Sequence, residues 1–154
     1  MKKKLAILGS TGSIGKTLIK LIVSNKNNFD VVLLTANKNY KTLLKQAKKL
    51  NVKNIIITNK NKYEILKGKT RSSKIKIYNN FDQLDKIFKN KIDYVMSSIM
   101  GIEGLEPTIK IIKYTKKIAI ANKESIICGW NLINKELKKN KTEFIPVDSE
   151  HFSI

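Results

Sequence analysis

The sequence is poor in the residues that would narrow its class at once. Its 154 residues hold one cysteine, Cys128, so no internal disulfide can form, and a lone thiol fits a reducing compartment. Two prolines and seven glycines make no linker, and no repeat or low-complexity block breaks the chain beyond a Lys/Asn bias, so it reads as one domain with its own core. Acidic residues number 12 against 31 basic ones, for a net charge of +19. Arginine is almost missing: Arg71 is the only one, and the other 30 basic residues are lysines spread among many Asn and Ile. Sites that read bases or clamp nucleic-acid phosphates favour the planar guanidinium. The lysine excess therefore describes a solvated surface, and no nucleic acid is expected as a partner. Such a surface still attracts phosphorylated small molecules. No apolar run approaches the roughly 20 residues of a membrane span, so no membrane partner is expected either. The start, MKKKLAILGS, has the charged lead of a signal peptide, but Gly9 interrupts after Leu5 to Leu8, short of an h-region of about 7 to 15 residues. The expected location is the cytoplasm.

What the chain has is an alternation of short β-branched runs with helical stretches. KLAIL (4–8) reads as a buried strand, and a helix follows with Ile14, Leu18, Leu21 and Ile22 at helical spacing. Further strands are read at 30–36, 52–58, 74–78, 92–98, 116–121 and 142–147. Helices fall at about 40–50, around 81–88, at 104–114 with Pro107 in the first turn, and within 123–139. Strand and helix taking turns implies crossover connections. The expected fold is α/β: a doubly wound, mostly parallel Rossmann-type sheet with helices on both faces. Cys128, Trp130 and the methionines read as core or helix-face packing.

GSTGSIGK, Gly9 to Lys16, stands directly after the first strand and opens the first helix, the context a dinucleotide fingerprint requires. Gly9, Gly12 and Gly15 follow G-x-x-G-x-x-G rather than the commoner G-x-G-x-x-G. A P-loop would need glycine where Ser10 stands. Glycine permits a tight turn and close approach of backbone to pyrophosphate, while Ser10, Thr11 and Ser13 offer hydroxyl donors beside the N–H groups of the helix start. An NAD site commonly places an Asp or Glu about 20 residues past the motif for the ribose 2′-hydroxyl. TANKNY (35–40) has no acid there. Asn37, Lys38 and Asn39 suit a 2′-phosphate instead, which favours NADPH over NADH.

Near the end, PVDSEHFSI sets Asp148 and Glu150 one residue apart, so an extended segment would point both carboxylates to one face. A divalent ion wants more than two ligands. His151, the only histidine, does not converge with neighbouring Ser149 and Asp148 as a triad does, and reads as structural.

GSTGSIG, ANKES (121–125) and PVDSEH (146–151), in this order, resemble the 1-deoxy-D-xylulose 5-phosphate reductoisomerase family. The resemblance covers the whole chain but only the first part of the longer family proteins. It implies an NADPH-binding domain at 1–147, with 148–154 as the first residues of a catalytic domain that is otherwise absent. It implies that Thr11, Gly12, Ser13 and Ile14 hold the NADPH phosphates and that Asn37, Lys38 and Asn39 meet the 2′-phosphate region. Asn122 and Glu124 would lie near the nicotinamide end. Lys123 would contact the substrate, with Ser149 beside the metal. Asp148 and Glu150 would be two of three carboxylate ligands of Mg²⁺ or Mn²⁺, so Lys123, Asp148 and Glu150 form the expected catalytic set. The activity implied is conversion of 1-deoxy-D-xylulose 5-phosphate to 2-C-methyl-D-erythritol 4-phosphate in non-mevalonate isoprenoid biosynthesis. A hard cation can chelate adjacent hydroxyl and carbonyl oxygens during the skeletal rearrangement, before NADPH reduces the aldehyde. The full-length protein would be a homodimer acting on a phosphorylated sugar, and this shorter chain would bind NADPH without turning over.

Two other readings compete. One is a complete, non-enzymatic NADP-binding or nucleic-acid-binding module. The other is an extended short-chain dehydrogenase, which wants Tyr-x-x-x-Lys; Tyr63 and Lys67 have that spacing but stand early in the chain for it.

Overall fold

Strand β1 (Lys3–Leu8) has Leu5, Ala6, Ile7 and Leu8 all buried, which explains its unbroken apolar run. Alternate residues of a strand face opposite sides of a sheet. Leu5 and Ile7 accordingly join one core, and Ala6 and Leu8 another. A strand buried on both faces belongs in the middle of a parallel sheet.

The computed structural model describes residues 1–147. After β1 come α1 (Ser13–Ser24), β2 (Phe29–Ala36), α2 (Tyr40–Leu50), β3 (Asn54–Ile57), α3 (Lys60–Lys69) and β4 (Lys76–Tyr78). The second half runs α4 (Leu84–Ile87), β5 (Ile92–Ser97), α5 (Leu105–Ile111), β6 (Thr115–Ile120), α6 (Lys123–Asn140) and β7 (Glu143–Pro146). The seven strands form one sheet in the order β4-β3-β2-β1-β5-β6-β7. Every pairing in it is parallel, a stricter arrangement than the mostly parallel sheet expected. Ile19 and Ile22 of α1, Leu43 and Ala47 of α2 and Leu66 of α3 cover one face; Leu84 of α4, Ile111 of α5 and Ile133 and Leu137 of α6 cover the other. The expected doubly wound fold with helices on both faces is the one observed.

Between β1 and β2 the register slips, because Leu5 pairs with Val31 but Ala6 with Leu33. The extra residue, Val32, packs with the same core as Leu33, so two successive β2 side chains serve one face. Proline is tolerated at sheet edges. Pro146 lies on the edge strand β7.

Three expectations change. The apolar ridge of α1 is Gly15, Ile19 and Ile22, while Leu21 is 59% exposed. The helix read at 104–114 is α5 flanked by 3-10 turns at Ile102–Gly104 and Ile112–Tyr114, with Pro107 in its first turn as expected. Cys128 and Met100 are exposed rather than packed, whereas Trp130 does pack, against Phe144 with ring centroids 5.3 Å apart.

Candidate functional site

The strand order reverses between β1 and β5. A doubly wound sheet holds its ligand outside the carboxyl ends of its strands at that point. There β1 ends and Gly9 turns the chain at φ +77°, a conformation that side-chain-bearing residues rarely adopt. A Cβ on Gly9 would lie 2.9 Å from both the carbonyl carbon and oxygen of Ser98, so the turn is pressed against the end of β5. Ser98 grips it from that side, its N–H and Oγ both donating to the Leu8 carbonyl at 2.9 and 2.8 Å. Thr35 grips it from β2: the Gly9 N–H donates to its Oγ1 (3.0 Å) and the Ser10 N–H to its carbonyl (2.9 Å).

Helix α1 starts differently from the other long helices. Asn39, Asn59 and Asn122 cap α2, α3 and α6, each side chain accepting an N–H from three residues on. The cap of α1 is Gly12, which offers no side chain, and its first turn contains no acid. The Lys16 N–H is bonded to the Gly12 carbonyl (2.9 Å), so the N–H groups of Ser13, Ile14 and Gly15 lie ahead of the helical ladder. Such N–H groups, at the positive end of the helix dipole, favour an anion. Gly15 makes the close approach possible, since a Cβ there would fall 2.4 Å from the Gly9 carbonyl oxygen. Gly12 has no such internal reason to be glycine: its Cβ would meet only that oxygen, at an ordinary 3.5 Å. A ligand approaching the backbone would use the space that a side chain would fill.

Thr11, Ser13 and Ile14 remain around this turn, but the hydroxyl of Ser10 does not serve it. Ser10 is fully buried, its Oγ donating to Gln46 Oε1 at 2.8 Å while Gln46 Nε2 donates back to the Ser10 carbonyl at 2.9 Å. This pair ties the glycine turn to α2.

In front of the turn lies an open cleft of about 290 Å³. Gly9, Thr11 and Gly12 form its middle, Asn37 and Thr58 its β2–β3 end, and Ser98, Met100 and Glu103 its β5 end. Asn37 and Lys38 are exposed just past β2. Asn39 is exposed too, but its side-chain oxygen is taken by the Thr42 N–H (3.2 Å). On the far side of β5, Asn122 is only 4% exposed. Its Nδ2 donates to the carbonyls of Ile99 (2.5 Å) and Gly101 (2.6 Å), and its Oδ1 accepts the Ser125 N–H (3.2 Å). The side chain of Asn122 thus tethers the loop after β5 to the start of α6; its neighbours Lys123 and Glu124 are exposed in the first turn of α6. Tyr63 and Lys67 lie on α3 with the Lys67 ammonium 5.9 Å from the Tyr63 ring centroid, and neither lines the cleft.

A family model for 1-deoxy-D-xylulose 5-phosphate reductoisomerase matches residues 5–129. The chain belongs to this family. The reductoisomerase of Pelagibacter ubique is 62% identical over 99% of the chain. Among solved structures, the Zymomonas mobilis reductoisomerase in complex with NADPH superposes with a TM-score of 0.88 at 34% identity over 98% of the chain. A reductoisomerase in complex with NADPH, fosmidomycin and magnesium gives 0.87 at 31% over 97%. The chain spans about 40% of the length of these relatives, 40%, 40% and 37% respectively.

Within the family frame, Asp148, Ser149, Glu150 and His151 lie outside the described residues, and with them the expected metal ligands. Among the described residues no group of three or more His, Cys, Asp and Glu could hold a metal ion. Nor, among them, is any helix long and apolar enough to cross a membrane. Thr35, Thr58, Ser98 and Glu103 line the cleft and were not singled out in the sequence, because Thr and Ser at strand ends and a lone Glu in a 3-10 turn carry no motif of their own.

Proposed function

We propose that residues 1–147 are the NADPH-binding domain of an enzyme that converts 1-deoxy-D-xylulose 5-phosphate to 2-C-methyl-D-erythritol 4-phosphate in non-mevalonate isoprenoid biosynthesis. Residues 148–154 would open the metal- and substrate-binding domain. The observation that carries this reading is the glycine turn of a family member: a helix start without a side-chain cap, facing a cleft whose β2 end has no carboxylate. NADPH, when bound, supplies the hydride for the reductive half of the reaction.

The residues divide the work by their chemistry. The backbone of Thr11, Ser13 and Ile14 gives N–H donors to the cofactor phosphates, with the Thr11 and Ser13 hydroxyls beside them; Gly12, whose own N–H donates to the Gly9 carbonyl (3.2 Å), serves by leaving room for the phosphates against the backbone. Asn37, Lys38 and Asn39 supply amides and one ammonium for the 2′-phosphate, Asn39 through its NH₂ group because its oxygen caps α2. Glu124 approaches the nicotinamide end, where Asn122 acts by fixing the loop on which that end rests. Lys123 donates to substrate oxygens. Asp148 and Glu150 would hold Mg²⁺ or Mn²⁺, Ser149 would bind substrate beside it, and a third ligand would come from the family's remaining length. The complete enzyme would be a cytoplasmic homodimer acting on a phosphorylated sugar, with neither nucleic acid nor membrane as partner.

The test is calorimetric titration of this chain with NADPH and NADH at low and high salt. Binding of NADPH at least about tenfold tighter than NADH and persisting in salt is expected, a gap of roughly 1.4 kcal/mol. Equal, weak binding that disappears with salt would mean the lysine surface alone attracts the phosphates, and the reading would fail.

A further inference from the structure

Past the ends of β2, β3 and β4 stand three side chains in a row, Asn37, Thr58 and Asn79, of which Asn37 and Thr58 line the cleft. None is a carboxylate, and each is tied to its neighbour. Asn79 Nδ2 donates to the carbonyls of Ile57 (2.9 Å) and Thr58 (3.2 Å), fixing the end of β3 from its outer side. Thr58 passes the constraint inward, its N–H donating to the Ala36 carbonyl (3.1 Å) and its Oγ1 to Asn37 Oδ1 (3.2 Å). The Asn59 N–H completes the clamp by donating to the Asn37 carbonyl (3.1 Å).

A primary amide has an accepting side and a donating side, and which one faces a ligand decides what the ligand can be. With its oxygen held by the Thr58 hydroxyl, Asn37 has its NH₂ group left for the cleft it lines. Donors suit a phosphate, which only accepts. An amide turned the other way would set its oxygen against the phosphate and suit the donating 2′-hydroxyl of an unphosphorylated ribose.

We propose that Thr58 is a positioning residue for cofactor choice: by holding the Asn37 oxygen it orients the amide to donate, and so favours a ribose carrying a 2′-phosphate. The inference rests on the reading that Asn37 to Asn39 meet that phosphate, and it adds a residue just past the next strand that acts through Asn37.

Thr58→Val keeps the shape and removes the hydroxyl. In calorimetric titrations of the chain, it should weaken 2′,5′-ADP and NADPH about three- to tenfold, the worth of one net hydrogen bond, and leave 5′-AMP and NADH unchanged. Thr58→Ser restores the hydroxyl and should restore the preference. In an Asn37→Ala background Thr58→Val should cost nothing further, as expected when one residue acts through another. A wild-type chain that prefers NADPH while Thr58→Val keeps the full preference overturns the proposal alone. So does a Thr58→Val loss that persists in the Asn37→Ala background, or one that falls equally on NADH. A wild-type chain with no preference overturns the 2′-phosphate reading, and the role of Thr58 with it.

Discussion

Two strand-to-helix turns reach the same edge of the sheet and are built in opposite ways. At β1 to α1 the cap is a glycine, the first turn has no acid, and the flanking side chains hold the loop from behind. At β6 to α6 the cap is Asn122, whose amide meets three backbone partners, and Glu124 stands in the first turn. The second turn caps its own backbone through Asn122, and the first leaves backbone donors for something else. The contrast separates a turn that leaves its backbone N–H groups open from one whose cap side chain is spent on structure, though both follow a buried parallel strand.

The comparison breaks most visibly at Gly15. Gly15→Ala puts a Cβ 2.4 Å from the Gly9 carbonyl, a backbone atom that no rotamer change can move aside. Chemical denaturation should show a loss of about 2–3 kcal/mol despite alanine's better helix propensity, since overpacking against rigid neighbours costs that much. Asn122→Ala strips the second turn of its cap and of both tethers, and should cost about 2 kcal/mol in the same assay. Asn122→Asp sharpens the point: it keeps the capping oxygen but sets a second oxygen, in place of the NH₂ group, against two carbonyls, so a variant as stable as wild type would show that the tether contributes nothing.

Gly12→Ala tests the other turn. Its Cβ has room within the protein, so stability should move by less than about 0.5 kcal/mol, while NADPH affinity falls about tenfold as the methyl occupies the path to the backbone. Stability loss without affinity loss would make the first turn as structural as the second. The smallest effect lies at the opposite end of the sheet. The Lys4 N–H (2.9 Å) and then the Lys116 ammonium (3.1 Å) hold the Asp93 carboxyl below the usual carboxylate range. A depressed folded value stabilises at pH above the unfolded pKa, and that contribution is lost as pH falls through the folded value. Asp93→Asn should therefore lower stability slightly near neutrality and flatten its decline below about pH 4, with cofactor binding unchanged.

Much of this was legible in the chain. The alternation of periods located all seven strands, because a strand buried on both faces must be an unbroken apolar run, as Leu5 to Leu8 and Ile55 to Ile57 are. Period alone misjudged the inner ridge of α1. Apolar residues at 14, 18, 19, 21, 22 and 23 wrap too much of the helix for spacing to select a side, and the docking of Gly15 on the glycine turn selects Ile19 and Ile22, leaving Leu21 outside. Ser10 shows the same limit at the site. Its place in a glycine motif suggests a phosphate donor, but its hydroxyl is committed to Gln46, 36 residues away.

By itself the sequence determined the fold class, the location of the glycine turn and the family, since each is written in local pattern: period, punctuation and short motifs in order. Only the tertiary structure decided which polar groups are spent and which remain. Ser10 and Asn122 look as available in sequence as Thr11 or Asn37, and it is the partner brought to each that differs. A hydrogen bond depends on two positions at once, and for these residues the second position was fixed by the packing of strands and helices far apart in the chain.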